Sequence, residues 1–245
     1  MPEHVIRPIP LVKTTGTPDK MTYLVNFEGI GPRAIYTWYI EGPKEKVLVD
    51  TGALATELTP QPLRFPGGGG EQIQSLEEGL SKVGLKPEDI DIVIVTHMHE
   101  DHIQLARKYP KARFIVQKAE LEFGRNPHPV QVFTYLKDTL DDVNFEVIEG
   151  DKEIIDGVRV VLTPGHTPGA QSVVVETAKG KAVITGFCCK RTNFNPPREL
   201  GVPVIPPGIH LDVIQAYDSM IKVKDLADII IPLHDAEFIE KDRIP

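Results

Sequence analysis

The stretch that most constrains this chain is IVIVTHMHEDH, residues 92–102, where a short β-branched run gives way to three histidines and an aspartate. Preceded by the turn signal LKPED, such a run is what a strand buried on both faces looks like. Side chains two positions apart share a side only in extended chain. His97 and His99 can therefore point together as the strand stops, with Met98 turned into the core. One ion fits that pair. Asp101 and His102 follow where the chain turns into HIQLARKYP, a predicted short helix ended by its proline, and can address a second ion. Imidazoles crowded in this way without partners would leave polar nitrogens unsatisfied, so metal is the economical explanation. Asp101 taken alone also fits as a cap on that helix.

Other apolar strands end in residues of the same kind. KVLV runs into Asp50, VRVVLTPG into His166, and IIIPL into His234 and Asp235. Loops at strand ends on a rigid scaffold are a general way to assemble a reactive centre. His166 completes a first triple with His97 and His99; His234 completes a second with Asp101 and His102. About three protein ligands and an open position suit a catalytic zinc, and imidazole with carboxylate also accepts iron or manganese, so one or two ions are expected. His4 and His128 stand alone and read as structural.

The remaining segments predict an α/β chain of sheets covered by helices. Strand signals occur in TYLVNF (22–27), in the hairpin AIYTWYIEG and KVLVDTG joined by GPKE, in ARFIVQ, in FEVIEG, KEIIDG and VRVVL, and in the hairpin SVVVETAKGKAVITG. Helical spacing marks SLEEGLSKVGL, KAELEFGR, VQVFTYLKDTL (130–140) and LDVIQAYDSMIKVKDLA. The GGGG run at 67–70 lacks the Lys-Ser/Thr of a phosphate cradle and reads as a mobile loop near the site.

A chain of 245 residues with 41% hydrophobic content buries a substantial core, and one domain spanning 1–245 is expected rather than two small ones. No apolar run reaches the ~18 residues of a membrane span, and the first residues mix charges with prolines, so a soluble, cytoplasmic protein is expected. Its two cysteines, Cys188 and Cys189, are adjacent, which excludes a disulfide framework and suits a reducing compartment. With 35 acids against 27 bases, 7% aromatics and no basic run, the chain has little to offer nucleic acid. A small-molecule substrate is the expected partner. The net charge of -8 is ordinary, and oligomeric state is left open.

THMHEDH resembles the HxHxDH signature of the metallo-β-lactamase superfamily, and TPGHTPG and IIPLHD stand in order for its later histidines. Within it, YTWYIEGPKEKVLVDTG and ADIIIPLHD are most similar to the N-acyl-homoserine lactonase group. The resemblance covers nearly the whole chain. It implies a four-layer αββα sandwich, two metal ions bridged by a hydroxide, and hydrolysis of lactones, thioesters, amides or phosphoesters. It is specific for fold and metal, and poor evidence for substrate.

Two departures stand out. The family places a metal-bridging aspartate directly after the glycine of the strand seen here as AVITG, and this chain has Phe187 there, which ligates nothing. Cys188 or Cys189 would supply a thiolate if the backbone bulged; otherwise both are small buried residues. One tight metal and one labile or absent one follow. The lactonases also carry a tyrosine shortly afterwards, and CCKRTNF has none; Lys190 or Arg191 either steadies an oxyanion or is a solvated loop cation. His210 and Asp212 belong near the rim by family analogy, although Asp212 also fits as a helix cap. Asp50 in VDTG is expected to orient a metal-binding histidine through its other nitrogen. The chemistry implied is attack by a metal-activated water on a lactone or related ester, with Asp101 as proton carrier to the leaving oxygen. A thioester or cyclic-amide hydrolase, an iron-dependent oxygen-using enzyme and a non-catalytic metal-binding relative are the alternatives.

Overall fold

The structure, a computed structural model, describes residues 3–26, 29, 31–42, 44–56, 58 and 70–245. Its first sheet contains β1 (Val5–Gly16), β2 (Gly31–Glu41), β3 (Val47–Val49), β4 (Glu71–Gln72), β5 (Ile92–Ile94), β6 (Arg113–Gln117) and β7 (Phe145–Ile148), in the order β4-β1-β2-β3-β5-β6-β7. Strands β1 to β3 are antiparallel, while β3, β5, β6 and β7 run parallel. The second sheet has the order β12-β11-β10-β9-β8, from β8 (Lys152–Ile155), β9 (Val158–Leu162), β10 (Gln171–Thr177), β11 (Gly180–Ile184) and β12 (Ile229–Ile231). Helices are α1 (Pro18–Met21), α2 (Leu76–Lys82), α3 (Glu100–Ile103), α4 (Lys118–Arg125), α5 (Arg191–Phe194) and α6 (Val213–Leu226). None is long and apolar enough to cross a membrane.

Alternation along the strands sorts the apolar residues into three cores. Val47, Val49, Ile92 and Ile94 face inward and meet Val173, Val175, Ala182 and Ile184 of the second sheet. Between them, Leu48 and Val93 face outward, against Leu76 and Leu80 of α2. On the far side of the second sheet, Val161, Val174 and Val183 pack on Met220 and Val223 of α6. The layers are therefore helix, sheet, sheet, helix. Strands buried on both faces explain why IVIV is a continuous apolar run.

Three segments differ from the sequence expectation. The first long strand is β1, despite Pro8 and Pro10. It pairs along its length with β2, whereas β4 joins it only at Val12 and Lys13, so among the described residues the prolines fall where one side of the ladder has no strand to receive an N–H. Residues 22–24 of TYLVNF form bends and 25–26 are irregular, and Leu24 takes φ 55°, which ends extended pairing; Phe27 lies outside the described residues. VQVFTYLKDTL forms turns instead of a helix. Its Thr134 carbonyl accepts the Glu100 N–H at 2.7 Å, and Tyr135 bridges to His99, so this backbone serves the neighbouring loop. Residues 67–69 of the GGGG run lie outside the described residues.

Candidate metal centre

β3 stops at Val49, and Asp50 adopts a left-handed backbone at φ 58°, which Asp tolerates better than bulkier residues. The turn drives its carboxylate under the loop that leaves β5. Oδ1 accepts the Thr96 N–H at 2.7 Å; Oδ2 accepts the Thr96 hydroxyl and the His102 Nδ1–H, both at 2.8 Å. Past Thr96, the rings of His97 and His99 lie 4.6 Å apart, and Met98 between them is buried in the outer core, as the spacing predicts.

The third histidine arrives from the other sheet. After β9 the chain passes Gly165 at φ 118°, where an added Cβ would sit 2.1 Å from the Ala216 nitrogen of α6. Only glycine allows that approach. The Gly165 carbonyl also receives the N–H groups of Leu211 and Asp212, and His166 Nδ1 donates to the Ile209 carbonyl at 2.6 Å. His234 follows β12 and donates from Nδ1 to the Ala34 carbonyl at 3.0 Å. Asp101, at the start of α3, presents Oδ1 3.5 Å from His102 Nε2 and Oδ2 3.7 Å from His234 Nε2.

Two sets of ligand-type atoms result, His97–His99–His166 and Asp101–His102–His234, the atoms within 4.8 Å of one another. Their chemistry fits a cation. The Nε2 atoms of His99 and His102 are buried without a hydrogen-bond partner, and Nε2 of His97 faces Nε2 of His166 at 3.2 Å. With Nδ1 of His166 and His234 committed to carbonyls, their Nε2 atoms carry lone pairs. Burial, reinforced by neighbouring histidines, holds His97 and His99 well below the ordinary imidazole range. Burial and then Arg33 do the same to His234, and burial brings His166 down to about 4. Neutral rings with converging lone pairs could hold a cation. Burial works against charge on His102 too, but Asp101 and Asp50 together outweigh it and raise its pKa. For Asp101, burial is outweighed by His102, His234 and Arg33, so its carboxyl stays well below the usual range.

Two contributors carried no signal in the sequence. Arg33, a lone charge before the apolar run of β2, places Nη2 3.3 Å from Asp101 Oδ2. Glu120 of α4 is fully buried behind the histidines. Its Oε1 accepts the Met98 N–H at 2.8 Å and the Tyr135 hydroxyl at 3.2 Å; its Oε2 accepts the Thr167 hydroxyl at 2.6 Å and the Gly169 N–H at 3.1 Å.

The sequence profile of the metallo-beta-lactamase superfamily matches residues 30–231. The chain belongs to this superfamily. An N-acyl homoserine lactonase of Bacillus cereus is 33% identical over 170 residues, 66% of either protein, so the chain matches just under two thirds of that relative's length. An N-acyl homoserine lactonase of Bacillus thuringiensis is 28% identical over 219 residues, 86% of this chain and 84% of that one. The crystal structure of a quorum-quenching N-acyl homoserine lactone hydrolase matches with a TM-score of 0.78 at 25% identity, covering 98% of this chain and 96% of the other. The αββα sandwich expected of the superfamily is the fold observed.

For a superfamily member the region after β11 is unusual. Phe187 is buried in the third core with its ring stacked on Phe194 at 6.1 Å, so the position of the family's bridging aspartate contributes packing. Cys189 is in the same core, its Sγ 3.2 Å from the Thr185 hydroxyl. Cys188 lines the pocket over the ligand sets, with Sγ 3.6 Å from Arg33 Nη1, and belongs to neither set. Burial pushes both thiols up. Arg191 is paired with Glu237, and its backbone N–H donates to the Asp235 carboxylate at 2.7 Å, away from the pocket lining. Lys190 precedes α5 as its cap residue. His210 bonds the Pro207 carbonyl and stands edge-on to Tyr23. Asp212 caps α6 by accepting from the Gln215 N–H at 2.9 Å. His4 bonds the Asp156 carbonyl at 2.9 Å, and His128 Nδ1 accepts the Val130 N–H; both are structural.

Proposed function

We propose that this protein is a metal-dependent hydrolase that opens a lactone or related ester, with zinc as the metal. The observation carrying this reading is the convergence of buried, neutral imidazole Nε2 atoms and one carboxylate at a pocket formed by strand ends of both sheets. The lactonase activity named for the Bacillus relatives supports the substrate class.

In this reading His97, His99 and His166 form one ligand set, and Asp101, His102 and His234 the other. These residues would hold a divalent ion, which when bound would supply Lewis acidity toward an ester carbonyl and a more acidic water. The chain's own groups do the rest. Asp50, the Ile209 carbonyl and the Ala34 carbonyl each fix one ring by its Nδ1–H and so keep Nε2 available. Asp101 reaches the pocket with a side chain 14% exposed, the position required of a proton carrier to the leaving oxygen. Thr14 and Thr15 line the opening from β1 and offer hydroxyls to a polar substrate of small size.

The test is elemental analysis of the purified protein together with hydrolysis of a panel of lactones, thioesters and cyclic amides at fixed metal. Lactone opening is expected, and His97→Ala or His166→Ala should lose metal and turnover together. A variant that keeps both overturns the assignment.

A further inference from the structure

Arg33 introduces a fixed cation into the second ligand set. Its guanidinium lines the same pocket as the histidines, with Nη2 3.3 Å from Asp101 Oδ2 and Nη1 3.6 Å from Cys188 Sγ. Asp101 is the one carboxylate in either set, and Oδ2 is the oxygen it turns toward His234 Nε2. The arginine is anchored beside its target. Its backbone bridges to Asp235, and the next residue, Ala34, exchanges two hydrogen bonds with His234, one to the backbone and one to the ring. Nε of Arg33 is buried without a partner, and the side chain as a whole is 15% exposed, so water screens the charge poorly. The other set is composed of imidazoles alone.

We infer that Arg33 neutralises Asp101 and thereby makes Asp101–His102–His234 a weak, exchangeable site, so that the protein holds one divalent ion firmly among His97, His99 and His166. This rests on the metal-dependent reading above. A cation entering the second set must share Asp101 Oδ2 with a guanidinium and sit against its positive charge; one entering the first set meets neutral donors alone. Occupancy of the second position then follows the free metal concentration, and at low supply Arg33 keeps a positive charge beside Asp101.

The experiment is a zinc titration of the full-length protein against a chromophoric chelator, with metal content measured after dialysis. The second equivalent should bind about 100-fold more weakly than the first, leaving a stoichiometry near one after dialysis. Arg33→Gln, which removes the charge, should narrow the gap to about 10-fold or less and move the dialysed stoichiometry toward two, while Arg33→Lys, which keeps it, should behave as the parent protein. Two equivalents of equal affinity in the parent protein overturn the inference without any variant, and so does an unchanged gap in a folded Arg33→Gln. Absence of any tightly bound zinc overturns the hydrolase reading itself, an outcome distinct from two equal sites.

Discussion

Glu120 accepts the Thr167 hydroxyl at 2.6 Å, and through its other oxygen it holds the amide of Met98. One buried carboxylate thus ties the loop of His97 and His99 to the loop of His166. Burial raises its pKa, while four donors pull the other way. Glu120→Gln turns one acceptor into a donor facing donors, and should lower unfolding stability by about 2–4 kcal/mol. Denaturant melts of the metal-loaded protein check the loss, and an effect within about 0.5 kcal/mol would mean that the carboxylate is dispensable.

Asp50→Asn isolates a charge from a conformation. Asparagine accepts the left-handed backbone at this position, so the fold survives, but it cannot receive both Thr96 groups and the His102 Nδ1–H as the carboxylate does. His102 loses its orienting partner. Metal affinity should fall about 10–100-fold, measured by competition with a chromophoric chelator.

Gly165→Ala should be among the most damaging single substitutions. The new methyl would meet the Ala216 nitrogen at 2.1 Å, in a backbone conformation that alanine avoids, directly before His166. Stability should drop by about 3 kcal/mol or more, with metal binding reduced in the same variant. A calorimetric scan with and without zinc separates the two effects.

Acidification should destabilise the metal-free protein. Burial keeps His97, His99 and His234 neutral well below the ordinary imidazole range and brings His166 to about 4, so on lowering pH the unfolded chain takes up protons first. Stability from these rings is intact above the unfolded imidazole value of about 6.5 and is lost progressively as pH falls below it, at ~1.4 kcal/mol per pH unit for each proton. His102 works in the opposite sense: its raised pKa contributes stability below the unfolded value that fades as pH rises through the folded one. With four rings against one, the unfolding midpoint should fall steadily between pH 7 and pH 5, and a midpoint that rises on acidification would contradict the burial of these histidines.

The convergence of the candidate ligands was legible because their chemistry is concentrated locally, at the ends of apolar runs that read as strands. His166 and His234 follow the same pattern in the second sheet. Arg33 and Glu120 were not legible, because each is a lone charge in an ordinary strand or helix pattern, and their partners lie far along the chain. Asp101 is 68 residues from Arg33, and Thr167 is 47 from Glu120. Residues 130–140 misled for a related reason. Their apolar side chains suggested a helix, yet Val132 and Phe133 are exposed and the backbone is committed to Glu100. Phe187 was visible as a departure, but its destination, a stack against Phe194 in the third core, depends on the path of α5.

The three histidines of the first set come from two different sheets, His97 and His99 from beyond β5 and His166 from beyond β9. An ion bound there would act as a rivet across the seam of the sandwich, and its grip would be felt as resistance to prying the halves apart. Chelation should loosen that rim while the valine-rich interior stays closed, so heat tolerance alone can report whether the rivet is seated, before any substrate is known.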